Sequence, residues 1–185
     1  VHILTPPSTH YELACKALEH GCHVLIEKPF VIYANEATSL IEKAKSLNKK
    51  ITVNHFHNFS PPQMELKKLI NKRRLGNISH VECHYGYRMK GAIAQSLLNN
   101  SNSWIYSLPG KIIQNNISHI IGTVLEIFPE ENFKTFAVSY SLGEEVKKKP
   151  ENQIFDELRV MMISPSASIF ITFSCNINPS QHFMK

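Results

Sequence analysis

The first 54 residues alternate between short apolar runs and amphipathic stretches, and this alternation constrains the fold more than any other feature of the chain. Val1–Thr5 is apolar and stops at Pro6-Pro7. Ser8 or Thr9 is then placed to cap a helix, and Thr9-His10-Tyr11-Glu12 has capping-box spacing. Leu13, Ala14, Ala17 and Leu18 form the apolar stripe of that helix, and Gly21 suits the left-handed position after its end. His23–Glu27 is a second apolar strand, ending at Lys28-Pro29. Asn35 is placed to cap a second helix with Leu40, Ile41, Ala44 and Leu47 on one face, and Lys50–Asn54 reads as a third strand. Strands joined through helices by connections of a few residues predict a parallel sheet with crossover helices, half of a doubly wound α/β sheet.

The pattern changes after residue 58, which divides the chain into 1–58 and 59–185. Pro61-Pro62 suits a helix N-terminus, and Leu66, Leu69 and Ile70 line that helix as far as Leu75-Gly76. Ile78–Arg88 alternates as a strand, and 90–108 reads as a long polar loop. Gly110–Phe128 carries the strongest helical periodicity, through Ile113, Ile117, Ile120, Ile121, Val124 and Phe128. Three strands follow, around 136–142, 155–162 and 169–175, with a hairpin turn at Ser164-Pro165-Ser166-Ala167. Consecutive strands predict an α+β domain with a large, mainly antiparallel sheet.

Composition excludes several functions. The chain has 7 Gly and no G-x-G-x-x-G or G-x-x-x-x-G-K-[ST], so these residues hold no Gly-rich phosphate cradle. Asp156 is the only Asp, which excludes paired-Asp catalysis and EF-hand loops. The net charge of +5 comes partly from Lys72-Arg73-Arg74 and Lys147-Lys148-Lys149. Such runs are read as solvated faces in preference to a nucleic-acid site. Cys15, Cys22, Cys83 and Cys175 are scattered, as in a reduced cytoplasmic protein, and no apolar run is long enough for a membrane span. The opening on Val1 and the stop at Lys185 read as those of a fragment.

Three constellations could carry chemistry. Thr5-Pro6-Pro7-Ser8-Thr9-His10 and Glu27-Lys28-Pro29 both follow strands, at the end of a parallel sheet where ligands bind. Pro29 keeps Lys28 out of helical geometry, and partial burial there would lower the pKa of the lysine. Asn115 and His119 share one face of the long helix, and Gly122 and Glu126 continue it. That face lies opposite the Ile stripe, so it meets solvent or walls a cleft. His55-x-His57 and the group His80, Cys83, His84 lack the spacing of a zinc site, and no metal is expected.

Together these segments resemble the Gfo/Idh/MocA family. The carrying residues are 1–10, Ala14-Cys15-Lys16-Ala17-Leu18-Glu19-His20-Gly21, and His23-Val24-Leu25-Ile26-Glu27-Lys28-Pro29-Phe30. The resemblance implies the second half of a Rossmann domain followed by a substrate and oligomerisation domain, with the Gly-rich loop upstream of Val1. It implies hydride transfer between NAD or NADP and a hydroxyl-bearing carbon of a sugar or cyclitol, in a cytoplasmic homo-oligomer that meets neither nucleic acid nor membrane. Lys28 and His119 match the residues that move the proton. Thr5, Pro6, His10, Glu27, Lys28, Pro29 and Asn54 match positions along the cofactor. The family pattern has Asp four residues before the His, where this chain has Asn115. An amide orients a hydroxyl but carries no charge. A non-catalytic relative, acting as a sugar-sensing or structural subunit, is therefore the alternative.

Overall fold

A computed structural model describes residues 1–89, 98–100, 102–129, 131–148 and 153–185, with the Glu145 side chain left aside. Most of the expected polar loop, and Lys149 of the second basic run, lie outside the described residues. Strands β1 (His2–Ile3), β2 (Val24–Ile26) and β3 (Ile51–Val53) form a parallel sheet in that order, with helices α1 (His10–Glu19) and α2 (Ala34–Ser46) between them. Ile3, Ala14, Leu18, Val24, Ile26, Leu40 and Ala44 make its core. Burying Leu18, Ile26 or Leu40 fully contributes roughly 1.5–3 kcal/mol each.

Two cap expectations change. Thr9 does not cap α1. Its hydroxyl donates to the Pro6 carbonyl at 2.9 Å and lies 2.6 Å from the Thr5 hydroxyl, because a 3₁₀ turn over Pro7–Thr9 precedes the helix. Nor does Asn35 cap α2, which already begins at Ala34; the Glu36 carboxylate reaches back to accept from the Tyr33 N–H at 3.2 Å. The expected α2 stripe is also narrower. Leu40 and Ala44 are buried but Ile41 and Leu47 are exposed, since strands of two or three residues cover only a thin strip of helix.

The second unit contains α3 (Pro61–Asn71), β4 (His80–Arg88), α4 (Lys111–Ile127), β5 (Lys134–Tyr140), β6 (Glu157–Ile163), β7 (Ser168–Ser174) and β8 (Asn176–Met184). The sheet order is β5-β6-β7-β4-β8, antiparallel throughout except for the parallel β4–β7 pair. The hairpin turn forms as expected, with the Ser164 N–H donating to the Ala167 carbonyl at 2.9 Å. β8 was not expected. Its polar run and Pro179 do not alternate, yet it pairs with β4 as an edge strand, the place where a sheet tolerates proline. The 3₁₀ turn Trp104–Ser107 likewise interrupts the expected loop.

α4 lies across this sheet and buries Ile112, Ile113, Ile120 and Val124 against Val81, Val160, Ile169, Ile171 and Phe173. At one corner sits a buried polar cluster. Both Asp156 carboxylate oxygens accept backbone N–H bonds, from Leu142 and Gly143 at 2.8 Å each, and Oδ2 also accepts from Asn176 Nδ2 at 3.0 Å. Glu157 accepts from Arg159 at 2.8 Å, Ser174 Oγ at 2.5 Å and Asn176 Nδ2 at 2.8 Å. The one Asp of the chain thus fixes the approach to β6 and the start of β8.

Candidate active site

The site is built from the carboxyl ends of β1, β2 and β3. Parallel strands leave their loops on one edge, where no strand partner satisfies the backbone. His10, with no exposed surface, brackets two of those loops. Its Nε2 lies 2.8 Å from the Thr5 carbonyl, and its Nδ1 lies 3.0 Å from the Pro29 carbonyl. His10 and Pro6 therefore belong to the frame that sets Thr5 beside Glu27-Lys28-Pro29. The Lys28–Pro29 peptide is cis. Asn54, just after β3, donates from Nδ2 to Glu27 Oε1 at 2.6 Å and from its backbone N–H to the Ile26 carbonyl at 2.7 Å.

Lys28 crosses from this edge to α4. Its Nζ donates to Asn115 Oδ1 at 2.8 Å and to the Asn115 carbonyl at 3.1 Å. A carbonyl oxygen has two lone pairs and can accept beyond its helical bond; the Ser118 hydroxyl also reaches this one, at 3.3 Å. Burial lowers the Lys28 pKa, with the nearby Glu27 charge opposing the shift. His119 lies one turn beyond Asn115, buried, with no hydrogen-bond partner for Nδ1 among the described residues. Burial first, then the charges of Lys28, His57 and His55, push its pKa down to about 4. The face of α4 that carries Asn115 and His119 therefore walls a cleft.

Two of the surrounding groups arrive from the segment after β3. His57 meets His119 edge to face at 4.6 Å between ring centroids, and His55 does so at 6.3 Å. The pair spaced like metal ligands thus flanks a third imidazole. Among the described residues no group of three or more His, Cys, Asp or Glu is arranged to hold a metal ion. Cys83 is buried and its thiol pushed up to about 12, and the His84 ring stacks on Phe183. Asn58 ties the same segment to α4: it accepts from Thr123 Oγ1 at 2.8 Å and donates to the Gly122 carbonyl at 3.4 Å. Sequence reading missed Asn58, Thr123 and His182. Thr123 stands four residues after His119, so continuing the helix face would have found it.

Gly122 lets His55 approach α4 closely. A Cβ there would lie 3.1 Å from Cγ and Nδ1 of His55. Gly122→Ala should leave the melting temperature unchanged or higher, since Ala favours a helix interior by up to about 1 kcal/mol over Gly. It should nonetheless displace His55 and lower turnover roughly tenfold. Thermal unfolding and kcat measured side by side check this; a large fall in Tm would mean that the contact is structural only.

A cleft of about 470 Å³ opens beside His119, bounded by α3, α4, β4 and β8 and lined among others by His57, Gln63, Thr123 and His182. The comparisons bear on this arrangement. Residues 1–55 match the Gfo/Idh/MocA oxidoreductase family, described by its NAD-binding Rossmann fold. That match spans the parallel sheet and the two helices between its strands. The chain is similar to oxidoreductase P35 of Formosa agariphila, at 38% identity over 82 residues, 44% of this chain and 26% of that protein. It is similar to D-glucoside 3-dehydrogenase of Escherichia coli at 32% over 78 residues, 42% of this chain and 22% of the relative. An inositol dehydrogenase homolog from Azotobacter vinelandii, solved with NADH and myo-inositol, shares the fold over the whole chain at TM-score 0.80 and 22% identity, over 46% of its own length. The chain thus spans about a quarter of the curated relatives it matches and under half of that structure.

The residues present fit one part of a nicotinamide cofactor. The free edge of the parallel sheet, the half-buried Lys28 ammonium and the unpartnered buried Nδ1 of His119 converge on one side. The phosphate grip of a Rossmann domain is not among these 185 residues, which hold no Gly-rich loop.

Proposed function

We propose that this chain is part of an NAD(P)-dependent oxidoreductase acting on a hydroxyl-bearing carbon of a sugar, cyclitol or derivative. The observation that carries the proposal is the Lys28–Asn115 contact, which brings the edge of the family-matched sheet to within one helical turn of His119. Relatives named as a glucoside dehydrogenase and an inositol dehydrogenase homolog support the substrate class.

The bound nicotinamide supplies hydride acceptance or donation. Thr5, Pro6, Glu27, Pro29 and Asn54 shape the edge that receives it, with His10 holding the two loops together. Lys28, fixed by Asn115, presents an ammonium that hydrogen-bonds the substrate oxygen. His119 is neutral above pH about 4 and takes the proton as the hydroxyl becomes a carbonyl. Asn115 positions Lys28 without adding charge. The exposed side of the five-stranded sheet, with Phe136, Val138 and Phe170 on the surface, supports a homo-oligomer built through it.

The test is turnover of a sugar and cyclitol panel with NAD+ and NADP+ by the protein that carries this sequence. His119→Ala should lower kcat by about 10²–10⁴-fold and leave cofactor affinity unchanged. Equal turnover by the variant would remove His119 from the chemistry. The second reading, a non-catalytic sugar-binding subunit, draws on Asn115 standing where the family pattern has an acid. It predicts cofactor retention with no reduction by any member of the panel.

A further inference from the structure

The cleft beside His119 has an unusual charge inventory. Four histidines border it: His119 on α4, His57 after β3, and His84 and His182 on the paired strands β4 and β8. His182 is close enough to bear on the charge of His57, and Lys28 bears on both His57 and His119. Among its described lining residues there is no Asp or Glu. The nearest carboxylates are engaged elsewhere: Glu27 accepts from Asn54, and Glu126 pairs with Lys67. The other titratable groups of the cleft, the Cys83 thiol and the Tyr85 phenol, are both held neutral by burial.

Strand alternation explains how this inventory arises. On β4 and β8, Tyr85 pairs with His182 and their rings meet at 4.2 Å, while His84 pairs with Phe183 and stacks on it at 4.3 Å. Successive side chains of a strand point to opposite faces, so the His84 ring is on the other side of the sheet from His182. His182 is exposed at the cleft mouth, His57 is half-buried and His119 is buried, so the imidazoles descend into the cleft in that order. Neither the His57 ring nor the His182 ring hydrogen-bonds a described residue, which leaves both rings free to serve a ligand.

A cleft lined by imidazole N–H donors and by no carboxylate, with the Lys28 ammonium at its side, favours an anion over a cation. We propose that the substrate of this cleft carries an oxyanion, a carboxylate or phosphate on its polyol frame, held by His182 and His57 while its reacting hydroxyl faces Lys28 and His119. This names the substrate class of the site and rests on the oxidoreductase reading given above. It also accounts for Asn115. An anionic substrate brings the negative charge that an Asp at that position would have supplied, and its presence beside His57 and Lys28 makes His119 a better proton acceptor only while substrate is bound.

The experiment is a binding titration of the protein that carries this sequence, saturated with NADH or NADPH and followed through the imidazole resonances of ¹⁵N-histidine-labelled protein. D-glucuronate, D-glucose 6-phosphate and D-glucose are the probes. At least one of the two anions should bind roughly tenfold or more tightly than glucose, should shift His57 and His182, and should lose that advantage in 0.5 M salt, about where screening lengths fall to a few ångströms. The first two arms separate a carboxylate from a phosphate source. His182→Gln, on an exposed residue outside the core, should bring the favoured anion to within about threefold of glucose. Glucose binding as tightly as both anions, no binding by any probe, or an unchanged preference in His182→Gln would each overturn the proposal. The wild-type comparison stands whether or not the variant folds. Turnover separates the two readings: NAD(P)-linked oxidation of neutral sugars alone sinks the anion proposal and keeps the oxidoreductase, whereas anion-selective binding without turnover does the reverse.

Discussion

Lys28→Ala is expected to lower kcat/KM by about 10³-fold, equivalent to roughly 4 kcal/mol of transition-state stabilisation. Lys28 joins the carboxyl end of the parallel sheet to the helix bearing His119 by a direct hydrogen bond, at 2.8 Å to Asn115 Oδ1. Its removal takes away the ammonium and releases the Asn115 amide. Lys28→Arg should not restore activity, because a planar fork cannot take the place of a compact ammonium between two acceptors on one residue. The pH dependence follows from the same geometry. His119 must be neutral to accept a proton, and burial together with Lys28 holds its pKa at about 4. Oxidation in the wild type should therefore persist as pH falls through the ordinary histidine range, and drop only as pH approaches about 4. The Lys28 pKa is lowered by burial, so the alkaline limb should lie below that of a free lysine, about 10.4. A kcat profile with its acid limb near the ordinary histidine value of about 6.5 would assign the proton to another group.

Asp156→Ala should cost about 3–5 kcal/mol of stability, the range for removing one partner from a buried charged network. The carboxylate accepts the Leu142 and Gly143 N–H groups and Asn176 Nδ2; without it the two backbone donors are left unpaired in a site with no exposed Asp156 surface, and Asn176 Nδ2 keeps only Glu157 Oε1. Asp156→Asn keeps one acceptor oxygen but turns an NH₂ toward backbone donors, so it should cost about 1–3 kcal/mol. Urea denaturation resolves the two. If Asp156→Ala unfolds at the wild-type midpoint, the corner is held by Glu157 and Ser174 instead.

The α/β half of the chain was legible from sequence because its elements announce themselves locally. The apolar runs at Ile3, Val24–Ile26 and Ile51 are bounded by Pro6-Pro7 and Pro29, and Leu18 and Leu40 fall at the spacing that faces a sheet. β8 was not legible. Asn176, Asn178, Ser180 and Gln181 have no strand pattern of their own, and the segment becomes a strand by bonding to the edge of β4. The caps of α1 and α2 were misplaced for a related reason. Whether Thr9 or Glu36 satisfies a helix end depends on the turn that delivers the chain to it, which spacing alone does not specify.

The pairing of Lys28 with the Asn115–His119 face shows the same division. Residue type and position after a strand, or one turn apart on a helix, were enough to nominate each of them. Their meeting across 87 residues of chain, and the descent of His57 and His182 around the same cleft, depend on how α4, packed on the five-stranded sheet, meets the loops that follow β2 and β3. By itself, the sequence determined the parallel sheet, the long helix and the candidate proton-transfer groups, since short-range periodicity and proline placement act within a few residues. The tertiary structure alone decided that His119 is buried, that Asn115 holds the lysine and that the cleft contains imidazoles without a carboxylate, because burial and charge balance are set by neighbours from distant elements.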